Sequence, residues 1–177
     1  MDNNVMQLID VSKIYNGETT QIDFEFEIQP EDTDILDLAF HKPVKVTGKV
    51  YEKARGKDRA ESYVELVFSV TGEYDTHCAR CAKPITEKFE YNRVYGVAKK
   101  LVGDSDDYVE APKGILDVGE LARSYFYLEL PGRVLCKEDC KGLCPVCGTD
   151  LNEGTCTCKK NIGANTLSDL KKLLDKD

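Results

Sequence analysis

Polar and apolar residues alternate in 20–28, TQIDFEFEI, setting Ile22, Phe24, Phe26 and Ile28 on one face and Gln21, Asp23, Glu25 and Glu27 on the other. A period of two marks a strand with one buried face. It returns in PVKVTGKVY, where Val44, Val46 and Val50 oppose Lys45, Thr47 and Lys49, and in SYVELVFSV, where Val64, Leu66, Phe68 and Val70 oppose Tyr63, Glu65 and Ser69. The polar, charged connection KARGKDRAE at 53–61 predicts an exposed hairpin loop with a basic tip between these two strands. After CARC at 78–81 and Pro84, alternation resumes in ITEKFEYNRVYGV with Ile85, Phe89, Tyr91, Tyr95 and Val97, so the first CxxC sits at a hairpin bend. Alternating segments joined by short connections predict an antiparallel sheet.

The period then changes. Residues 102–114, VGDSDDYVEAPKG, are acidic and broken by Gly103, Pro112 and Gly114, and predict a flexible surface loop. Asp117 and Glu120 stand at capping-box spacing, and Val118, Leu121, Ala122, Tyr125 and Leu128 follow at helical intervals. These predict one amphipathic helix over about 117–130, stopped near Pro131-Gly132 and laid on the sheet. Beyond residue 135 apolar periodicity is lost until SDLKKLLDK at 168–176, which suggests a last short helix capped by Thr166 or Ser168.

A chain of 177 residues has room for one cored domain and a small appended module. The start MDNNVMQLIDVSKIY has neither the basic opening nor the apolar stretch of a signal peptide, and no run reaches the roughly 18 apolar residues of a membrane span. A cytoplasmic protein without membrane contact is therefore expected. The net charge of −8 argues against a nucleic-acid partner on average. The charge is segregated, however: Lys13 is the single base before residue 38, whereas Lys42, Lys45, Lys49, Lys53, Arg55, Lys57 and Arg59 crowd the stretch 41–59. Any anionic partner must find a local patch.

Eight cysteines change the picture most. In a reducing compartment thiols stay free, so metal binding outranks a disulfide framework. The chain carries two CxxC hooks, Cys78-Ala79-Arg80-Cys81 and Cys144-Pro145-Val146-Cys147, a tighter pair at Cys156 and Cys158, and a looser one at Cys136 and Cys140. A CxxC turn points both sulfurs at one ion, and zinc accepts four thiolates in a tetrahedron without redox chemistry. The economical partition gives Cys144, Cys147, Cys156 and Cys158 to a compact zinc ribbon. Cys78, Cys81, Cys136 and Cys140 then form a second site that joins the hairpin bend to the segment after the helix. One or two zinc ions are expected; an iron–sulfur cluster is the competing occupant of four thiolates. Scattered buried thiols would explain one cysteine but not eight in four close pairs. His77 adjoins Cys78, but neighbours on an extended strand point opposite ways. The fold class is thus α+β: an antiparallel β-sheet or partly open barrel with one packed helix over residues 1–135, and a cysteine-rich, zinc-binding tail over 136–177.

Catalysis finds little support. A redox CxxC opens a helix in a βαβ setting, whereas this one bends between strands. The chain has two histidines, His41 and His77, and neither a phosphate loop nor a Ser/His/Asp set, so no enzyme activity and no small-molecule substrate are expected. Lys45, Lys49, Arg55, Lys57 and Arg59, with Arg80 and Lys83 in the CxxC bend, are candidates for one cationic edge that meets RNA phosphates or a partner; the plainer alternative is a solvated strand face and loop.

The hook CARCAKPI followed, after LELPGRVLC, by CKEDCKGLCPVCGTDLN resembles the YceD family of bacterial proteins with plastid relatives. The matching positions are Cys78, Arg80 and Cys81 in the CxRC hook and Gly142, Leu143, Cys144, Pro145, Cys147 and Gly148 in the GLCPxCG segment. The resemblance implies a part in accumulation of large-subunit ribosomal RNA. It favours a noncatalytic assembly factor shaped by structural zinc, with rRNA or a large-subunit ribosomal protein as partner. An acidic adaptor or chaperone whose N-terminal segment holds a basic ribosomal protein, and a redox or zinc-responsive switch, are the alternatives.

Overall fold

The computed structural model describes residues 7–30, 37–54, 62–101, 103 and 105–158. The elements follow in the order β1 (Leu8–Asp10), α1 (Ser12–Tyr15), β2 (Gln21–Ile28), β3 (Val44–Ala54), β4 (Ser62–His77), β5 (Pro84–Ala98), β6 (Tyr108–Glu110), a 3₁₀ turn (Pro112–Gly114), β7 (Ile115–Asp117) and α2 (Val118–Glu129). Two compact units result. The first comprises Met1–Thr76 and Pro84–Arg133, the second His77–Lys83 and Val134–Asp177.

The first unit is organised by a five-stranded sheet in the order β2-β3-β4-β5-β6, open, with β2 and β6 at its edges. β2 pairs antiparallel with β3 from Gln21↔Tyr51 to Ile28↔Val44, and β3 with β4 from Lys45↔Thr71 to Ala54↔Ser62. Alternation drives this arrangement: Val44, Val46, Val50, Val64, Leu66, Phe68 and Val70 are all buried. The long β5 keeps the same period, its exposed and half-buried positions alternating from Pro84 to Tyr95. The sheet is not purely antiparallel, because β6 lies parallel to the end of β5 through Gly96↔Tyr108 and Ala98↔Glu110. The stretch predicted as a structureless loop at 102–114 therefore contains a strand and a 3₁₀ turn; Val102 and Asp104 lie outside the described residues. The same chain continues into β7, which pairs antiparallel with β1 as a two-stranded ribbon. Three-residue strands are too short to show a period and are fixed by their partners.

One close approach sets the sheet's spacing. Phe24, Gly48 and Phe68 are aligned across β2, β3 and β4. A Cβ on Gly48 would stand 2.6 Å from the Phe24 ring, 2.7 Å from Phe68 Cβ and 2.5 Å from the Val67 carbonyl. Gly72 is covered by Phe89 in the same way. Absence of a side chain makes room for a ring from the next strand.

Helix α2 starts as its sequence predicts, with Asp117 Oδ1 accepting the Glu120 N–H at 3.0 Å. It ends where Leu130 turns extended ahead of Pro131, a position that disfavours helix. Its buried face differs from the expected one: Val118, Gly119, Ala122 and Phe126 are buried, whereas Leu128 is 82% exposed. Phe126 stacks on Phe89 at 5.7 Å and meets Phe40 edge-on at 5.6 Å, while Tyr125 packs on Phe68 and donates its hydroxyl to the Asn92 carbonyl. The helix thus lies on the sheet by an i, i+4, i+8 stripe. Among the described residues no helix is long and apolar enough to cross a membrane. The short helix predicted at 168–176 lies outside the described residues.

Replacing Gly48 by alanine normally favours a strand, but here the new methyl meets backbone as well as rings. Gly48→Ala is expected to destabilise the protein by about 1–3 kcal/mol, the usual range for overpacking. A lowered urea midpoint with an unchanged slope is the measurement that checks it.

Candidate metal centres

The second unit is built from two stretches of chain whose backbones hold each other. At the bend between β4 and β5, Cys78 N–H donates to the Lys83 carbonyl and Ala82 N–H to the Cys78 carbonyl. The turn closes only because Ala82 takes a left-handed φ of 56°. Ala79 N–H reaches the Val134 carbonyl at 2.9 Å, Leu143 N–H reaches the Arg80 carbonyl at 2.9 Å, and the Arg80 guanidinium donates to the Cys140 carbonyl at 2.8 Å. Gly142, with φ of 75°, passes so close that a Cβ there would lie 2.8 Å from the Arg80 carbonyl oxygen.

These contacts gather Cys78, Cys81, Cys136 and Cys140 into one group whose four sulfurs lie within 4.8 Å of one another. Cys78 Sγ is 3.8 Å from Cys140 Sγ, and Cys81 Sγ is 3.6 Å from Cys136 Sγ. Metal–sulfur bonds of about 2.3 Å in a tetrahedron put neighbouring sulfurs about 3.8 Å apart. The two separations of 3.8 and 3.6 Å match that edge, so the group could hold a single ion. A cluster spreads its thiolates over separate irons and so spaces them more widely. Cys78, Cys81 and Cys140 are buried and Cys136 is exposed.

Cys144, Cys147, Cys156 and Cys158 form the other four-sulfur group, again within 4.8 Å. The knuckle carrying the first two is made by Gly148 N–H donating to the Cys144 carbonyl and Cys144 N–H to the Thr149 carbonyl, with Gly148 at φ of 73°. Leu143 and Asp150 bridge beneath it. Cys144 is buried, Cys147 exposed, and the other two are intermediate. His77 belongs to neither group.

Donors around the sulfurs decide where negative charge settles in the metal-free chain. The Cys136 N–H, 3.4 Å from Cys78 Sγ, and the backbone of Arg80 and Cys81 pull the Cys78 thiol down to about 6. In the other group the Thr149 hydroxyl, 3.1 Å from Cys147 Sγ, and the Thr149 N–H bring Cys147 to about 6. Two other sulfurs are driven the opposite way. Although its residue is exposed, Cys136 has a sulfur turned to the other three, and loss of water followed by their proximity pushes it up to about 12. Cys158 rises to about 12 through its bond to Cys147 and through burial.

Two side chains that spacing alone did not single out take part. Asn152 donates to Cys140 Sγ at 3.5 Å and is steadied by the Lys141 N–H and by Asp150. Thr149 serves Cys147 as described. The signal lay in the sequence TDLN directly after CPVCG, where Asp150 and Asn152 make the local turn. The predicted basic residues, in contrast, are engaged locally. Lys45 pairs with Glu25 at 3.0 Å, Lys49 lies over the Tyr51 ring, and Lys83 pairs with Glu153 at 2.6 Å and Asp150 at 3.3 Å. Arg55, Lys57 and Arg59 lie outside the described residues.

In metal-free protein at pH 7, Cys147 combines exposure with a low pKa and is expected to be alkylated first by iodoacetamide. Thr149→Val should slow it about two- to fourfold, because the loss in thiolate fraction outweighs the gain in nucleophilicity. Peptide mapping of a time course reads both outcomes.

The family model described as Large ribosomal RNA subunit accumulation protein YceD matches residues 66–174, a stretch that takes in both cysteine groups. No curated protein and no solved structure matches. With well over half of the 177 residues matched, the chain belongs to the YceD family.

Proposed function

We propose that this protein is a noncatalytic factor for large ribosomal subunit assembly or rRNA accumulation, in which two structural zinc ions shape the cysteine unit. The observation that carries the metal part is the gathering of each all-thiolate set within 4.8 Å, with sulfur separations of 3.6 and 3.8 Å in the first. Such sites are typically closed, whereas catalytic zinc keeps an open position among His or carboxylate ligands. Cys78, Cys81, Cys136 and Cys140 hold one ion, and Cys144, Cys147, Cys156 and Cys158 the other. The ribosomal part rests on the family's description.

The engaged state of Lys45, Lys49 and Lys83 directs the RNA contact elsewhere. On the outer face of the sheet β2 sets Glu27 beside Lys45 and Asp23 beside Lys49, which offsets their charge. The connection between β3 and β4 holds Arg55, Lys57 and Arg59 against Asp58 and Glu61, and is the favoured phosphate contact. A second reading is suggested by Asp23, Glu25 and Glu27, which alternate outward along the edge strand β2. They suit an adaptor that holds a basic ribosomal protein.

Elemental analysis of protein purified without chelator is expected to give two zinc ions per chain, Cys140→Ser and Cys156→Ser each leaving one. Iron in place of zinc, or one ion per unaltered chain that either substitution removes, would contradict the assignment. Because Cys136 and Cys158 must shed protons held up to about 12, metal affinity should fall as the pH is lowered.

Co-sedimentation with large-subunit precursors should be lost when Arg55, Lys57 and Arg59 are reversed to glutamate. The same change should reduce the salt slope by about 0.7–0.9 per phosphate contact removed. Retention with an unaltered slope would rule that loop out as the contact.

A further inference from the structure

An apolar groove of about 560 Å³ runs between β6, the β1–β7 ribbon and the start of α2. Leu8, Tyr108 and Ile115 line it while remaining 48%, 47% and 39% exposed, which makes it a continuous apolar surface open to water. Such patches on a folded chain mark interaction sites more often than chance placement. The charged residues that line it are all of one sign: Glu110, Asp117 and Glu120, without a lysine or arginine among them. Their carboxylates are only lightly engaged, by the Leu101 N–H, the helix cap and the Ser124 hydroxyl respectively.

Strand β6 adds a main-chain component. It is an edge of the sheet. Gly96 N–H donates to the Asp107 carbonyl and Ala111 N–H to the Ala98 carbonyl, so the odd-numbered residues of this segment face β5. By alternation the N–H and C=O of Tyr108 and Glu110 turn the other way. A small apolar ligand would use the groove alone. A polypeptide uses the groove, the acidic rim and the strand edge together.

We propose that this groove docks a cationic amphipathic segment of a partner protein. Two or three large apolar side chains enter beside Leu8, Tyr108 and Ile115, lysines or arginines meet Glu110, Asp117 and Glu120, and the segment's main chain runs along β6. Apolar burial supplies most of the affinity, and the rim charges supply selectivity and approach rate. The site lies wholly in the first unit and goes beyond the ribosomal reading: it uses neither cysteine group nor rRNA.

The test is fluorescence anisotropy of the purified full chain with a labelled synthetic peptide of alternating leucine and lysine, against a leucine–glutamate counterpart. The lysine peptide is expected to bind with a Kd of about 10 μM, an affinity in the range of modest peptide sites, and the glutamate peptide not at all. Glu110→Lys with Glu120→Lys should weaken binding about tenfold, and Leu8→Ser with Ile115→Ser by at least as much. Reversal of Glu52 on β3 and Glu90 on β5, exposed carboxylates that do not line the groove, should leave it unchanged. All of these positions except Leu8 and Ile115 carry exposed charged side chains, so the charge-reversal arm reads binding without disturbing the core. Failure to bind, equal binding of both peptides, an equal loss in the Glu52/Glu90 variant, or occupation of the groove by a second copy of the chain, seen as a dimer that dissociates in Leu8→Ser/Ile115→Ser, would each overturn the proposal.

Discussion

Negative charge among crowded sulfurs is the constraint around which the second unit is arranged. Four thiols within 4.8 Å cannot all ionise without a cation, and the hydrogen bonds around them favour charge on some sulfurs over others. The Cys136 N–H favours Cys78, and Thr149 favours Cys147, at the expense of Cys136 and Cys158. The backbone hydrogen bonds gather the four sulfurs of each group. Arg80 shows how far this preorganisation extends: its carbonyl accepts Leu143 N–H while its guanidinium holds the Cys140 carbonyl. One residue of the first hook thereby positions both the partner pair and the start of the second knuckle.

The first unit obeys a different rule. Its sheet is held by burial of alternating apolar residues, and its local refinements come from rings lying over glycines, as Phe24 does over Gly48. Glu65 illustrates the cost of such packing. It is buried on the outer face and is satisfied there by Lys53, Tyr51 and Tyr63, with Lys53 raised and Glu65 lowered relative to their ordinary values. The carboxylate stays charged because three donors replace its water.

What could be read from the sequence follows from how local each cause is. The long strands announced themselves because period two is a property of the segment alone. The cap at Asp117 was legible for the same reason. The face of α2 was harder to read, since Tyr125, Phe126 and Tyr127 are consecutive and only the Phe89 and Phe40 rings decide that Phe126 turns inward. Strands β6 and β7 were hidden: three residues carry no period, and β6 pairs with Gly96–Ala98 only after the chain has turned back. The grouping of the cysteines was legible from hook spacing. The support from Asn152 and the local engagement of Lys45 and Lys83 were not, because each depends on a neighbour that spacing does not reveal.

The divided origin of the second unit bears on synthesis. Cys81 precedes Cys136 by 55 positions, and a ribosome adding about 5–20 residues per second takes roughly 3–11 s to cover that interval. Throughout it the CARC hook has emerged with two of its four sulfurs missing, while the sheet residues from 84 to 98 are already being delivered. A vectorially growing chain therefore completes its first strands before its first cysteine group, and assembly of that group reports that translation has passed Cys140.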